Sequence, residues 1–169
     1  FVAECDMINI YDCETNTWLD RINHPVSDLK IFAIACLNNF IYIADYFFYN
    51  GEDNISSRKF KSYSIEAKQW TSLKLMNEVR IGMFKLIALN NYLYIIGGDT
   101  KTVERYDPEK NIWEFVSSTH TIHSFSEATV HNGQIFVLSE TLLEIYDPQK
   151  NFWFPIKDNL IVPMFVRLI

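Results

Sequence analysis

A tyrosine followed seven residues later by a tryptophan occurs four times in this chain: Tyr11 and Trp18 in YDCETNTW, Tyr63 and Trp70 in YSIEAKQW, Tyr106 and Trp113 in YDPEKNIW, Tyr146 and Trp153 in YDPQKNFW. All four tryptophans of the sequence stand in this frame, separated by 52, 43 and 40 residues. That period is too long for helical repeats of about 33–34 residues and suits arrays of four-stranded sheets. The phrase itself reads as a hairpin. In ERYDPEKNIWEFV, Tyr106 closes one strand, the Asp107 carboxylate caps the turn, and Pro108 presets φ at the second turn position. Asn111 tolerates the left-handed conformation that ends a type I turn with a bulge, and Trp113 opens the returning strand.

Upstream of the later hairpins lies a second shared phrase: LNNFIYIADY at 37–46, LNNYLYIIGGD at 89–99 and HNGQIFVLSE at 131–140. Each pairs an Asn- or Gly-containing turn with a β-branched and aromatic run, the pattern of a hairpin that feeds a buried strand. FAIACL, FKLIAL and SEATVH supply a further strand apiece, giving four per repeat. Apolar residues come in short runs between turn signals, with no helical periodicity. A four-stranded sheet cannot bury both faces alone. Each Tyr and Trp of the frame is therefore expected to pack between neighbouring sheets, where large aromatics contribute most.

Composition narrows the function classes. The formal net charge of −6, without a Lys/Arg run, lacks the clustered cations that nucleic-acid surfaces need. No apolar run approaches the length of a bilayer-crossing helix, and the opening FVAECDMINI has neither a basic region nor a small-residue cleavage site. Cys5, Cys13 and Cys36 form an odd set with neither a disulfide framework nor zinc-ligand spacing, which points to a reducing, cytoplasmic setting. The sequence starts on Phe1 and ends on the apolar FVRLI, as if cut at both ends.

In order, LMNEVRIGM, ALNNYLYIIGGD and VERYDPEKNIW resemble the Kelch repeat: a Met and an Arg before strand A, a hydrophobic run ending in Gly-Gly for strand B, then Tyr-Asp-Pro and Trp bracketing strands C and D. The resemblance implies an all-β fold, a partial Kelch-type β-propeller. It would hold strands C and D of one blade at 1–25, full blades at 26–77, 78–118 and 119–158, and the start of another at 159–169. Only one repeat keeps the double glycine, Gly97 and Gly98. Asp45 and Tyr46, and Ser139 and Glu140, stand at the matching positions, so those blades are expected to leave strand B by a different turn. The first full repeat is also longer between its second-phrase turn and its Tyr, which reads as a loop insertion.

Resemblance to the Kelch domains of BTB-Kelch proteins implies a non-catalytic protein-interaction module, the substrate-recognition propeller of an adaptor for a cullin-RING ubiquitin ligase. Its loops between strands B and C, and from D into the next A, would form the working face. Those loops fall at 46–60, at 99–101 and near Glu140 and Thr141, with approaches near Asp28, Arg80 and His123. Candidate partner contacts are Arg80, Tyr46, Tyr49, Arg58, Lys59, Asp99, Lys101 and His123. Arg80, in the RIG segment, offers a planar fork of donors for an acidic peptide, or else pairs a carboxylate of the neighbouring blade. The insertion YFFYNGEDNISSRKF joins aromatics to Arg58 and Lys59, residue types enriched at interface hot spots; alternatively Phe47 and Phe48 fold back onto the blade. His120 and His123 lack further ligands of metal-binding spacing and read as polar loop residues. The sequence calls for no cofactor. An actin-binding or cytoskeletal scaffold is the alternative. A copper oxidase of the same fold would need paired His ligands and a Tyr-linked Cys, which Cys36, within an apolar strand, does not supply.

Overall fold

The computed structural model describes residues 2–4, 7–12, 14–23, 32–45, 58–124, 126–139 and 142–156. Among them the regular structure is fifteen strands, without a helix. The chain divides into two compact units, Phe1–Phe32 and Ala33–Ile169.

The first unit holds an antiparallel sheet of β1 (Val2–Glu4), β2 (Met7–Asp12) and β3 (Thr17–Asn23), in that order. β2 and β3 are the strands expected around the first Tyr/Trp pair, and β1 is a third strand that the sequence reading did not foresee.

The second unit is three four-stranded antiparallel meanders, the blades of a partial β-propeller. The first contains β4 (Phe32–Leu37), β5 (Phe40–Asp45), β6 (Phe60–Ser64) and β7 (Gln69–Ser72). The next contains β8 (Phe84–Leu89), β9 (Tyr92–Gly97), β10 (Val103–Asp107) and β11 (Ile112–Val116). The last contains β12 (Glu127–His131), β13 (Gln134–Leu138), β14 (Leu143–Asp147) and β15 (Phe152–Ile156). Local chemistry fixes each turn. Asn38 and Asn39, Asn90 and Asn91, and Asn132 and Gly133 all take positive φ, the backbone that a two-residue hairpin needs between twisted strands. At the second hairpin of each sheet, Asp107 Oδ1 accepts the Glu109 amide at 3.0 Å, and Asp147 Oδ1 accepts the Gln149 amide at 2.9 Å. Asn111 and Asn151 then stand at φ 53° and 48°.

The repeated Tyr, Asn and Trp close the seams between these three sheets. Tyr106 and Tyr146 each donate to the Oδ1 of the Asn five residues on, at 2.8 Å. The same oxygens accept amides of the preceding sheet's exit segment, Lys74 N on Asn111 and Ser117 N on Asn151, both at 2.9 Å. The indoles donate back, Trp113 Nε1 to Lys74 O at 3.0 Å and Trp153 Nε1 to Ser117 O at 2.8 Å. Behind this polar rim, Ile135, Val137, Tyr146 and Trp153 pack on Leu89, Tyr94, Ile96 and Val103. Phe60 similarly meets Tyr106 and Trp113 edge to face, both at 4.8 Å.

Burial separates the four indoles. Trp113 is 7% exposed and Trp153 1%, and Trp70 is half-buried, but Trp18 is 61% exposed. Its ring packs on Tyr11, centroids 4.9 Å apart, while most of its surface faces solvent.

Candidate functional site

The segment leading into strand A of a sheet is held by a carboxylate from strand C of that same sheet. On β10 this is Glu104, fully buried, whose Oε2 accepts the Asn77 amide at 2.8 Å and whose Oε1 accepts the Glu78 amide at 3.2 Å. Arg80 lies three residues past Asn77, also fully buried. Its Nη1 donates to Gly97 O at 3.0 Å and Thr102 O at 2.9 Å, and its Nη2 is 3.4 Å from Glu104 Oε1. On β14 the construction recurs. Glu144 accepts the His120 amide at 2.8 Å and the Thr121 amide at 3.1 Å. His123, three residues past His120, sets Nε2 2.8 Å from Glu144 Oε1, and His120 Nδ1 stands 2.8 Å from Oε2.

These are buried clamps, and their electrostatics follow from that. Burial pulls the Arg80 guanidinium below its usual range, opposed by the carboxylates of Glu104 and Glu78. Burial would push the Glu144 carboxyl up. The hydrogen bonds from His123, from the His120 amide and ring and from the Thr121 amide outweigh it, and the group falls to about 2.

With Arg80 and His123 turned inward, the surface passes to their neighbours. Ile81 and Ile122 are each 50% exposed, and Val79 is also exposed. The turn after β9 lies between them: Asp99 N donates to Ile81 O at 2.9 Å, and Ser124 Oγ donates to Asp99 Oδ1 at 3.2 Å. The glycines at this turn are sterically required. A Cβ on Gly97 (φ 92°) would stand 2.8 Å from His123 O, and one on Gly98 (φ 79°) 3.0 Å from Ile81 O. Lys101 O accepts the Thr119 amide at 2.9 Å and the Thr119 hydroxyl at 3.1 Å. Residues 79–82, 97–101 and 119–124 thus make one continuous face across the seam between two sheets.

Several expected contacts belong elsewhere. Arg80 and His123 are both withdrawn from the surface, and Arg80 pairs with a carboxylate of its own blade, not the neighbouring one. The reason is chemical: each completes the hydrogen-bond set of a buried glutamate, Arg80 at Glu104 and His123 at Glu144. His123 is accordingly no polar loop residue. Asp99 and Lys101 are exposed on the face. Arg58 Nη1 donates to Asn77 O at 3.2 Å and Met76 O at 3.4 Å, tying the start of strand C to the next sheet's approach. Neighbouring Lys59 accepts the Asp45 amide on its carbonyl at 3.2 Å. Tyr46, Tyr49, Phe47, Phe48, Asp28, Glu140 and Thr141 lie outside the described residues. Sequence reasoning missed Glu104 and Glu144, although each stands two residues before a frame tyrosine. It also missed Ile81 and Ile122, which follow no repeat pattern. No described helix is long and apolar enough to cross a membrane, and among the described residues no group of His, Cys, Asp and Glu is arranged to hold a metal ion.

The family model described as the Kelch motif matches residues 82–119. Kelch-like protein 24 of Rattus norvegicus is 33% identical over 87 residues, 52% of this chain and 14% of that protein. Kelch-like protein 23 of Pongo abelii is 30% identical over 136 residues, 80% of this chain and 24% of its own length. A solved structure titled "Structure of YjhT" superposes with a TM-score of 0.63 at 16% identity, over 76% of this chain and 51% of that one, and shares its fold. The chain spans less than a quarter of the curated relatives it matches.

Proposed function

Since this chain is a Kelch-repeat domain resembling those of the kelch-like proteins, we propose that it is a non-catalytic protein-binding module that engages its partner through the face of residues 79–82, 97–101 and 119–124. The observation that carries the reading is the pair of buried clamps. Glu104 with Arg80, and Glu144 with His120 and His123, fix the approach segments, which leaves Val79, Ile81 and Ile122 presented on rigid backbone beside Asp99 and Lys101. Fixed loops lose little conformational entropy on binding, and apolar side chains ringed by charge are the anatomy of a contact surface. An acidic-peptide reader built on Arg80 is replaced by a surface that takes an apolar anchor.

The resemblance extends the reading to a cytoplasmic substrate adaptor of a cullin-RING ubiquitin ligase, with a BTB domain elsewhere in a longer protein. The test is quantitative affinity capture by the full-length protein, wild type against an Ile81→Asp, Ile122→Asp double variant. Partner recovery should fall at least tenfold while a cullin is retained. Recovery indifferent to the double substitution removes this face, and filamentous actin in place of a cullin, checked by co-sedimentation, would move the protein to the cytoskeletal class.

A further inference from the structure

The turn between strands A and B is one structure built twice from Asn-Asn and once from Asn-Gly. Asn38 and Asn39 stand at φ 50° and 62°, Asn90 and Asn91 at 51° and 63°, and Asn132 and Gly133 at 49° and 74°. All six residues are exposed. The turn is equally tight in the middle and last blades: Leu89 pairs with Tyr92 and His131 with Gln134, so in each only two residues stand outside the ladder. What differs is the second residue. A Cβ on Gly133 would meet nothing within 4 Å, so the space beside its backbone is open.

Asn132 is also untied where the asparagines of the second hairpins are held. Asn111 Oδ1 accepts the Tyr106 hydroxyl and the Lys74 amide, and Asn151 Oδ1 accepts the Tyr146 hydroxyl and the Ser117 amide. Those two are followed by the bulky Ile112 and Phe152. Among the described residues, none hydrogen-bonds the Asn132 carboxamide or the Gly133 amide.

We propose that Asn132–Gly133 is a site of spontaneous covalent modification, deamidation through a cyclic imide, and that its main product breaks the hairpin of the last blade. The Gly133 backbone nitrogen attacks Asn132 Cγ. A bond from that nitrogen to Cγ forms, the bond from Cγ to Nδ2 breaks, and ammonia leaves with the proton that the backbone nitrogen gives up. Water then opens the ring, its hydroxyl going to one carbonyl carbon and its proton to the Gly133 nitrogen. Opening at Cγ leaves aspartate at 132; opening at the backbone carbonyl leaves isoaspartate, with the chain running through the former side chain. In the other two turns the attacking nitrogen belongs to Asn39 or Asn91, whose Cβ crowds ring closure where glycine does not.

Both products replace a neutral amide by a carboxylate, in a chain whose formal net charge is already −6. They differ in the backbone. Aspartate tolerates the left-handed region and keeps the turn. Isoaspartate lengthens the main chain by one atom inside a two-residue loop, and loop length sets the register of the flanking strands. That register, from His131↔Gln134 to Glu127↔Leu138, places Ile135 and Val137 in the seam with the middle blade.

The test keeps the full-length protein folded at body temperature and mildly alkaline pH, samples it over days, and reads each digest by electron-transfer fragmentation, which distinguishes isoaspartate from aspartate. Conversion at Asn132 should run about tenfold faster, or more, than at Asn38 or Asn90. It should quicken as pH rises, because the attacking nitrogen must shed its proton. The sequence's other Asn-Gly pair, Asn50 and Gly51, lies outside the described residues and is read separately. Gly133→Asn installs the turn that the other two blades use, so it should keep the fold and slow Asn132 about tenfold. Hydrogen exchange checks the consequence: amides of β12 and β13 should lose protection in the isoaspartate fraction and retain it in Asn132→Asp. Conversion at Asn132 no faster than at Asn90, or unchanged by Gly133→Asn, overturns the proposal. Isoaspartate that leaves those amides as protected as Asn132→Asp does overturns its structural half.

Discussion

Replacing Arg80 by alanine separates a residue that builds the loop face from one that touches a partner. The substitution removes two short bonds, 3.0 Å to the buried Gly97 O and 2.9 Å to the part-buried Thr102 O. It also leaves Glu104, itself fully buried, with two backbone amides and no cation. A hydrogen bond from a charged donor contributes about 1.5–3 kcal/mol, so the two short bonds alone account for about 3–6 kcal/mol. Cutting one partner from a buried ion pair independently costs about 3–5 kcal/mol. The contacts at 3.4 Å, to Thr102 Oγ1 and to Glu104, add little to either figure. The expected loss is therefore about 3–5 kcal/mol, a large share of the stability of an ordinary domain. Urea unfolding followed by tryptophan emission would read it as a lower midpoint at unchanged slope. Ile81→Asp, one residue away and half exposed, should shift the same midpoint by under about 0.5 kcal/mol while weakening partner capture. A loss below about 1 kcal/mol for Arg80→Ala, with capture abolished, would refute the assignment and return the guanidinium to the binding surface.

Three further outcomes follow from the seams and clamps. Trp153→Ala, which empties a site 1% exposed and removes the indole bond to Ser117 O, should cost about 3–5 kcal/mol in thermal or urea unfolding. Glu144 drops from an ordinary 4.5 to about 2 on folding, so the unfolded chain binds the proton more readily. Its contribution of about 3 kcal/mol is complete above about pH 5 and disappears as pH falls from 4.5 toward 2. Unfolding midpoints across that range should decline more gently in Glu144→Gln than in wild type. Lys68 stands at φ 53°, in the place that Asn16, Asn111 and Asn151 fill in the other repeats. Lys68→Asn should raise stability by about 0.5–1 kcal/mol, measured as a higher midpoint, because asparagine tolerates the left-handed region better.

Much of the scaffold was legible because its signals are local. Asn90–Asn91 and Asn132–Gly133 announce their turns through backbone sterics alone, and the Tyr/Trp frame marks each second hairpin with its seam residues. The clamps were harder to see, since Arg80 and His123 share no letter and their common role emerges only from the glutamate that each meets. Yet a signal existed: VERYDP and LEIYDP carry Glu104 and Glu144 at the same place before the tyrosine. Arg80 was misjudged because an arginine in a loop segment of a negatively charged chain reads as an exposed donor fork, and nothing in the adjacent letters reveals a carboxylate waiting 24 residues later. The exposed isoleucines of the loop face are invisible to periodicity, because binding surfaces follow a partner's chemistry instead of the sheet's repeat.

The clamp also explains which parts of the repeat are free to drift. An approach segment needs its amides and its inward Arg or His side chain satisfied, and a single strand C carboxylate does both, so either residue serves there while the glutamate stays. At the equivalent position of the first full blade the residue is Lys61, two before Tyr63. An ammonium cannot accept amides, so strand C of that blade carries no such carboxylate clamp. The same blade has Lys68 in place of the turn asparagine and Asp45 where the middle blade has Gly97, so its departures concentrate on the polar fittings. Its apolar seam does not drift: Tyr42 and Phe60 remain buried against Tyr106, at 6.3 Å and 4.8 Å.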